Sequence, residues 1–554
     1  MKGHLLYWTI TAICLLAGCT TQVPHEAKEV KKDVVTYPDF QEVTIPQGIA
    51  PLNFIIESPC EKAILSVKNS EGKEVVIAAN SRNEIIFDRK EWSALTQGST
   101  SLQCTPYLYN DKQWEKYNSF GINILDEPID SFVTYRLIEP SFMSTGDIGL
   151  YQFNLTSGEE KTIIRRCQNI TVDKNHEQSC VNCHSAQKGN PNNKMFYYRG
   201  ENGGLLLTYN GEITKINTKV QGMFTGTTYP AWHPTLPYIV FSSNDVLQDF
   251  PTIRKGKTEF YDRRTDLILF DIEKNEIFII NPSVQLETNP TWSPDGEYVY
   301  FALSDSLMTP NVMPEFEYPK LKYDIARTKF DPATKSFSKP EIVWNVTKEG
   351  KSATFPRISP DGKFLLVVIS EFGASPHTHP DGDLFAMNLE TKEVFNCEAA
   401  NSQEAESYHD FSTRSNWFVF YSRREDGNYG RAYISHMDST GKCTKPFQLP
   451  HKDPQTDHKR LKVYNMIEFA NSGVKFNESD FYDVIWNKEL VQAGSDVRNN
   501  ATDGQSGASV IKSKETDGNS GATNMRPTDG NSGASVIEGN DLETGRFGAK
   551  NIHE

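Results

Sequence analysis

Beyond its N-terminal segment the sequence has no apolar run of 18 residues, although a bilayer-spanning helix needs about 20 predominantly apolar residues. It also lacks an excess of positive charge, because 57 Lys and Arg stand against 72 Asp and Glu, a net charge of −15. Proteins that bind nucleic acids need clustered cations to neutralise phosphates. We therefore expect a soluble body without a nucleic-acid partner.

The N-terminus has the features of an export signal. Lys2 is followed by an apolar stretch from Leu5 to Leu16, which is too short to span a membrane. Leu16-Ala17-Gly18-Cys19 resembles the bacterial lipobox, whose cysteine is acylated before cleavage. We predict a signal peptide over 1–18, a lipidated Cys19 and a polar tether over 19–38; an uncleaved membrane helix is the alternative. The resemblance implies a lipid-anchored envelope protein, which we place at the outer membrane facing the periplasm.

Five of the nine cysteines remain free to form disulfides. Cys14 leaves with the signal peptide, Cys19 takes the lipid, and two more belong to the motif described below. In an oxidising compartment the remainder can pair. The preferred bridge is Cys60 with Cys104, Cys397 with Cys443 is a weaker candidate, and Cys167 is expected to be a buried thiol, but sequence alone does not fix the connectivity.

Composition separates two flanking regions from the centre of the chain. Over 39–131, short apolar runs alternate with turn residues and predict a small antiparallel β-sandwich that serves as a spacer or docking module. Over 486–554, three near copies of a Gly/Ser/Asp octad predict a disordered tail, because such a segment lacks apolar residues to offset ordering entropy. The tail also lacks the carboxylate spacing of an EF-hand.

Between these regions, over 132–485, the chain repeats itself. One pattern is exemplified by Asn289-Pro290-Thr291-Trp292-Ser293-Pro294-Asp295-Gly296, followed by an apolar strand. Its copies are Tyr229–Ser242, Asn289–Ala302, Phe355–Val368 and a degenerate one at Ser407–Ser422. Pro-Asp-Gly predicts a tight turn between two strands of a propeller blade. His233 occupies the position of Ser293 and is expected to be a residue of that turn.

A second pattern marks an outer hairpin in each blade. Its clearest copies are 266–279 and 383–395, and weaker copies lie at 147–164, 203–216, 323–337 and 431–447. The fold class is therefore mostly β, with six blades, or seven if the strands near 463–469 form or close another.

These repeats resemble the β-propeller of the TolB family, whose blades carry the same Pro-x-Trp-Ser-Pro-Asp-Gly pattern. The resemblance implies a fold and leaves function open, because propellers host binding proteins and enzymes alike. Related propellers precede serine peptidase domains, but this chain has no Gly-x-Ser-x-Gly elbow.

The motif that carries chemistry is Cys180-Val181-Asn182-Cys183-His184. In C-x-x-C-H two thiols attach covalently to one haem and the histidine binds its iron. The alternatives are a thioredoxin-like redox pair, a zinc site that adds His176, and a simple disulfide. The export signal favours haem c, because it places the motif where such haem is attached. We read about 166–198 as a haem-binding insertion between the first two blades.

The surrounding residues, among them Tyr135–Pro140, Asp147–Gln152 and Met195–Gly204, resemble TolB-like envelope lipoproteins of the Bacteroides group with an inserted Cys-x-Asn-Cys-His-Ser haem motif. That resemblance implies a cytochrome-propeller fusion, with Cys180 and Cys183 as the haem attachment sites and His184 as an axial ligand of the iron. Met195 is our candidate for the second axial ligand, since a thioether suits an electron carrier. The sequence departs from the pattern after Ser185.

The function predicted from these features is electron transfer in the cell envelope, with a protein partner docked on the propeller. The alternative is a binding scaffold with a structural or ligand-sensing haem. A haem peroxidase is a third possibility, and no catalytic residues are assigned.

Overall fold

The computed structural model describes residues 21–140, 148–165, 180–200, 202–249, 259–305 and 318–495. It divides the chain into two compact units, Met1–Asp126 with Pro450–Gln455, and Glu127–Leu449 with Thr456–Glu554. The signal peptide, Cys19, Cys167, His176 and the octad repeats lie outside the described residues. No helix in the described part of the chain is long and apolar enough to cross a membrane.

The first unit contains a seven-stranded sheet, a three-stranded sheet and one helix. Its elements are β1 Ala27–Glu29, β2 Thr36–Tyr37, β3 Val43–Pro46, β4 Phe54–Ile56, β5 Lys62–Asn69, β6 Glu74–Ala78, β7 Glu84–Ile85, α1 Arg89–Thr96, β8 Ser101–Asn110, β9 Gln113–Lys116 and β10 Phe120–Leu125. The larger sheet runs β1-β9-β8-β10-β3, with β5 paired to β8 and β6 to β5, and the smaller runs β2-β4-β7.

This unit differs from the expected antiparallel sandwich in two ways. The pairs β1–β9 and β3–β10 are parallel. Strands β1 and β2 also lie within 19–38, so part of the predicted tether belongs to the folded unit. Short polar strands carry little apolar periodicity, and the sequence pattern therefore did not reveal them.

In its described residues the second unit has six sheets that follow one another along the chain. Sheet 1 has β11 Phe132–Ile138, β12 Gly149–Asn154 and β13 Glu159–Arg165; sheet 2 has β14 Cys180–Gln187, β15 Asn190–Arg199, β16 Gly204–Tyr209 and β17 Glu212–Asn217; sheet 3 has β18 Thr228–Trp232, β19 Tyr238–Asp249, β20 Glu259–Asp271 and β21 Glu276–Ile280. Sheet 4 has β22 Leu286–Trp292, β23 Tyr298–Ser304, β24 Asp324–Asp331, β25 Ser336–Phe337 and β26 Glu341–Trp344; sheet 5 has β27 Ser352–Ile358, β28 Phe364–Ser370, β29 Asp383–Asn388 and β30 Val394–Asn396; sheet 6 has β31 Glu406–Phe411, β32 Trp417–Ser422, β33 Arg431–His436 and β34 Phe447–Gln448.

The C-terminal part of the chain adds strands to the early sheets. After α2 Thr456–Lys459 comes β35 Val463–Ala470, which pairs with β11 in sheet 1. After α3 Glu478–Asn487, β36 Val491–Gln492 pairs with β17 and β37 Gly494–Ser495 with β21. Residues 486–495 therefore belong to the folded unit, which corrects the predicted start of the disordered tail at 486.

In sheets 2 to 6 the inner strand is the first strand of the sheet, and in sheet 1 the inner strand is β35. These six inner strands contact one another in a closed cycle. Contacts run from β14 to β18, β22, β27, β31 and β35, and from β35 back to β14. Each of these six strands has a register shift at an equivalent place. We call the residues at these shifts the bulge residues: Cys183, Tyr229, Asn289, Phe355, Tyr408 and Met466. All but Cys183 have positive φ, a conformation that β-bulges accommodate.

The local sequence signals are confirmed. All six predicted outer hairpins are present. In the Pro-Asp-Gly turn, Ser293 Oγ donates to Asp295 Oδ1 and accepts from Tyr298 N at 2.9 Å, while Gly296 has φ +76°. His233 plays the same structural part, because its Nδ1 accepts from Thr235 N and Leu236 N.

Candidate functional site

The C-x-x-C-H motif lies on β14, the inner strand of sheet 2. Cys180 pairs with Arg199 on β15, Val181 with Tyr198, and His184 with Phe196, while Cys183 is the extra residue at the bulge. β-branched and aromatic residues favour such paired strands. The described part of the predicted insertion, 180–198, is therefore made of blade-type strands of sheet 2 and is not inserted between two sheets.

Both thiols are free and nearly inaccessible. Cys180 and Cys183 are each 6% exposed and are not bonded to each other, so a simple disulfide at the motif is wrong for this structure. Among the described residues no group of three or more His, Cys, Asp or Glu side chains is arranged to hold a metal ion. His176, the further ligand considered for zinc, lies outside the described residues.

His184 is held in place by a residue that the sequence did not reveal. Its Nδ1 is 2.7 Å from Oε1 of Glu468, on the closing strand β35. The ammonium group of Lys194, on β15, also donates to Glu468 Oε1 and lies 3.3 Å from His184 Nδ1. His184 is 4% exposed, yet its Nε2 has no hydrogen-bond partner. The ring thus offers one buried and unused nitrogen.

Electrostatics keep this cluster in a defined protonation state. Burial acts to raise the pKa of Glu468, but the charges of Lys194 and His184 and their hydrogen bonds outweigh it and lower the pKa to about 2. Burial, assisted by the charge of Lys194, lowers the pKa of His184. At neutral pH Glu468 is therefore an anion and His184 a neutral imidazole, the form that binds metals.

A cavity of about 300 Å³ adjoins His184. It is lined by residues of all six inner strands, including Glu468, His409, Arg357, Asp410 and the bulge residue Met466. His184 lines this cavity, although its unpartnered Nε2 is itself buried. His409 also has an unpartnered ring nitrogen, Nδ1, and burial lowers its pKa to about 3.

A second, smaller cavity of about 60 Å³ adjoins Cys183. Tyr229, Tyr408 and Met466 line both cavities, so these bulge residues lie at the boundary between the two. Cys183 and His184 are adjacent in the chain but line different cavities, and the bulge at Cys183 separates them by interrupting the regular alternation of side chains.

The types of donor match a c-type haem, but their placement does not, because Cys183 and His184 line different cavities and Cys180 lines neither. Two thiols are free, and a neutral imidazole has its Nδ1 engaged by a carboxylate and its Nε2 unused, which is the arrangement that outer carboxylates impose on ligating histidines. In this respect the residues present match the group that the motif implies.

Met195 does not join this cluster. It pairs with Ser185, whereas its neighbour Phe196 pairs with His184. Met195 is fully buried in an apolar cluster with Leu205, Trp232 and other side chains. Because adjacent strand residues face opposite sides, Met195 points away from His184, and its prediction as an axial ligand is not supported by the geometry. Met466, with a thioether, and His409, with an imidazole, line the larger cavity together with His184.

The cysteine pairing also differs from the preferred prediction. Cys60 and Cys104 are free thiols, and the disulfide joins Cys397 to Cys443. Cys104 lies on β8, where burial strongly raises its pKa.

A pattern around Glu468 becomes visible once the structure aligns the inner strands. The register shifts align Cys183-His184-Ser185 with Tyr408-His409-Asp410 and Met466-Ile467-Glu468. In that alignment a histidine follows the bulge residues Cys183 and Tyr408 directly. An acidic residue lies two positions after the bulge residues Tyr408 and Met466.

Comparison with known proteins finds distant structural similarity at low sequence identity. No model of a known protein family matches the sequence, and no curated protein is similar enough to count as a relative. Among solved structures, TolB from Acinetobacter baumannii is similar at 13% identity and TM-score 0.37, over 66% of this chain and 86% of that one. A protein assigned as TolB from Agrobacterium tumefaciens gives 13% and 0.33, over 61% and 98%, and Kuenenia stuttgartiensis hydrazine synthase gives 11% and 0.29, over 47% and 64%.

Proposed function

We propose that the chain is an envelope lipoprotein carrying one haem c, attached to Cys180 and Cys183, with His184 as a ligand of its iron. The observation that carries this proposal is the His184 ring, in which Nδ1 is held by Glu468 and Nε2 is buried without a partner. Haem c supplies a one-electron carrier when it is bound. Electron transfer to a docked protein partner is the function that we assign to it.

The residues around His184 prepare it for this role. Glu468 accepts a hydrogen bond from Nδ1–H of His184, which fixes the tautomer and leaves the lone pair on Nε2. Lys194 balances the charge of the carboxylate inside the protein, where an unpaired anion would be costly. His184 and Lys194 are 4% and 3% exposed, and the Glu468 side chain is 15% exposed, so little water reaches the ring.

For the architecture, we propose that the six sheets are the blades of a TolB-like propeller that is closed by β35. The cycle of contacts between inner strands supports this, as does the bulge that recurs in each of them. In such a ring the six inner strands surround a common axis, and β14 brings the C-x-x-C-H motif to it.

For the location, we propose an acylated Cys19 that anchors the chain to the outer membrane, facing the periplasm. Metabolic labelling with a fatty acid tests this. We expect labelled wild-type protein and no label in Cys19→Ala, and unchanged label in that variant would exclude lipidation at this residue.

A binding role is the second candidate, with a haem that is structural or senses a small ligand. Met195 faces away from His184, and the cavity beside His184 has a volume of about 300 Å³. These two observations favour an iron that a small molecule can approach, unless Met466 or His409 occupies the second axial position.

A denaturing gel stained for haem tests the attachment. After expression with the haem maturation machinery, the wild-type band should stain and the Cys180→Ala/Cys183→Ala variant should not. Cys60→Ala is the matched control, because Cys60 is also a free thiol, and it should stain like the wild type. An unstained wild-type band would refute the proposal.

Carbon monoxide binding separates the two functions. A carrier with both axial positions filled should show no spectral change when carbon monoxide is added to the reduced protein. Rapid binding would favour the sensing role. If the wild type does not bind carbon monoxide, Met466→Ala and His409→Ala identify the second ligand of the iron. Only the variant that removes this ligand should then bind carbon monoxide.

A further inference from the structure

The larger cavity has charged side chains that the C-x-x-C-H motif does not account for. Each of the six inner strands contributes to its lining the residue two positions after the bulge residue. These residues are Ser185, Ala231, Thr291, Arg357, Asp410 and Glu468. The three charged ones lie on the neighbouring inner strands β27, β31 and β35, while β14, β18 and β22 contribute small neutral side chains. One side of the cavity is therefore charged and the other is neutral.

Glu468 already has its partners. Its Oε1 is contacted by His184 and Lys194, and its Oε2 accepts a hydrogen bond from Ala186 N at 3.2 Å. The ammonium group of Lys194 also balances the charge of the carboxylate inside the protein. Among the charged residues of this side, Arg357 and Asp410 therefore remain for a ligand.

Arg357 and Asp410 use only part of their hydrogen-bonding capacity. Asp410 Oδ2 accepts from Phe469 N at 2.9 Å, and Arg357 Nη1 donates to the carbonyl oxygen of Pro356 at 2.9 Å. Arg357 Nε and Asp410 Oδ1 are 3.9 Å apart, which is an ion pair without a hydrogen bond. Within the described residues, no hydrogen bond engages Asp410 Oδ1 or Arg357 Nη2, and neither atom is fully buried. The Arg357 and Asp410 side chains are 25% and 27% exposed, so both groups are open to the cavity.

The charges of this pair are incompletely compensated. Burial raises the pKa of Asp410 to about 7 although the charge of Arg357 opposes the increase, and the charges of Glu468 and Asp130 add to it. Burial likewise lowers the pKa of Arg357 against the charges of Asp410 and Glu468. A cation beside Asp410 and an anion beside Arg357 would each stabilise the ionised pair.

The neutral side of the cavity has apolar surface. Trp232 and Trp292 both contribute to the lining. Their indole N–H groups donate to the carbonyl oxygens of Ser185 and Ala231, each at 3.1 Å. Because these N–H groups are engaged by the backbone, the two rings offer apolar surface to a ligand.

We propose that the larger cavity binds a small α-amino acid with an apolar side chain, whose carboxylate pairs with Arg357 and whose ammonium group pairs with Asp410. The two charged groups of an α-amino acid are attached to one carbon atom, which suits a guanidinium and a carboxylate 3.9 Å apart. Ionised partners on both sides make these hydrogen bonds strong. The volume of about 300 Å³ is at the lower end of the range for small-molecule sites. This proposal does not rest on haem attachment.

The test uses the full mature chain produced without the haem maturation machinery, so that its result does not depend on haem. The probes are L-leucine, 4-methylpentanoate, which is leucine without the amino group, and isoamylamine, which is leucine without the carboxyl group. Isothermal titration calorimetry measures each affinity at the same pH and ionic strength. We expect saturable binding of leucine and an affinity at least tenfold weaker for each analogue, because each analogue lacks one charged contact.

Two substitutions locate the site. Asp410→Asn removes the charge that pairs with the ammonium group, and it should weaken the affinity for leucine at least tenfold without weakening that for 4-methylpentanoate. Arg357→Gln should weaken leucine to a similar extent without weakening isoamylamine. Asp245→Asn is the matched control, because Asp245 pairs with Arg263 and Arg264 and does not line the cavity. This control should bind leucine like the wild type.

The comparison of the three compounds on the wild type decides the proposal even if a substitution prevents folding. Absence of saturable leucine binding overturns it, as does an analogue that binds as tightly as leucine. Unchanged leucine binding in Asp410→Asn or Arg357→Gln also overturns it, because the amino acid would then bind elsewhere. The haem stain is a separate result: a stained band without leucine binding refutes only this proposal, and leucine binding without a stained band refutes only the proposed function.

Discussion

At the scale of single residues, the bulge in β14 decides what each member of the motif contacts. Cys183 stands at the bulge and lines the smaller cavity, whereas His184 lies one position later and lines the larger. His184 is held by Glu468, which is 284 positions away in the sequence. The chemistry of the motif therefore depends on a residue of the last inner strand.

We predict that Glu468→Gln destabilises the haem-free chain by about 3 kcal/mol, because it leaves the Lys194 ammonium buried without its anion. Urea unfolding measures the change. Glu297→Gln, which removes an exposed ion pair with Lys329, should change the free energy of unfolding by less than about 1 kcal/mol. Equal effects of the two substitutions would mean that the buried cluster adds no stability.

The same cluster predicts acid sensitivity. The folded pKa of Glu468, about 2, lies below its unfolded value of roughly 4.3, so its stabilisation is complete above that value and is lost as the pH falls towards 2. The lowered pKa of His184 acts in the same direction, beginning below roughly pH 6.5. Unfolding free energies of the haem-free chain should therefore decrease from pH 7 to 3, with a smaller decrease below pH 4 in Glu468→Gln.

At the scale of elements, local patterns were predictable and long-range partners were not. The hairpins and Pro-Asp-Gly turns follow from short-range periodicity and turn chemistry, and the structure confirms them. Met195 is predicted as an axial ligand from its position shortly after the motif, whereas strand alternation places that side chain in the core. Nothing local in Glu468 indicates that β35 lies beside β14.

Helix α3 covers part of the apolar surface of sheets 1 and 2. Phe481, Val484 and Ile485 are buried in a cluster with Phe196, whose ring is 5.1 Å from that of Phe481. We predict that Phe481→Ala lowers the free energy of unfolding by about 3–5 kcal/mol. Ser479→Ala, at an exposed position of the same helix, should change it by less than about 0.5 kcal/mol. Similar values for the two would show that α3 does not pack as described.

The disulfide between Cys397 and Cys443 links the segments that follow β30 and β33. It closes a loop with a sequence separation of 46, for which chain entropy gives about 4 kcal/mol of stabilisation. We predict that a reducing agent lowers the melting temperature of the wild type but not that of Cys397→Ser/Cys443→Ser. Cys60→Ser should respond like the wild type, since Cys60 is not bonded. A melting temperature that is insensitive to reduction would contradict this assignment.

At the scale of the whole molecule, the burial of the motif depends on the ring being closed. Cys180 and Cys183 are each 6% exposed, whereas Cys60 in the first unit is partly exposed. In the haem-free chain we predict that alkylation of Cys180 and Cys183 proceeds at the rate of opening of the second unit, and that Cys60 reacts faster. Mass spectrometry of the labelled peptides measures both rates. Fast alkylation of the motif in the folded chain would show that its thiols are open to solvent.

The position of β35 also sets an order of events during biogenesis. This strand leaves the ribosome long after β14 and, under the proposed location, also crosses the membrane after it. Until β35 arrives, the inner strand of sheet 1 is missing and His184 has no Glu468. An enzyme that attaches haem to the two thiols needs access to them, so under the proposed function its opportunity ends when β35 pairs with β11. Maturation and folding then compete in time, and variants that slow the docking of the C-terminal segment should leave a larger fraction of the protein loaded.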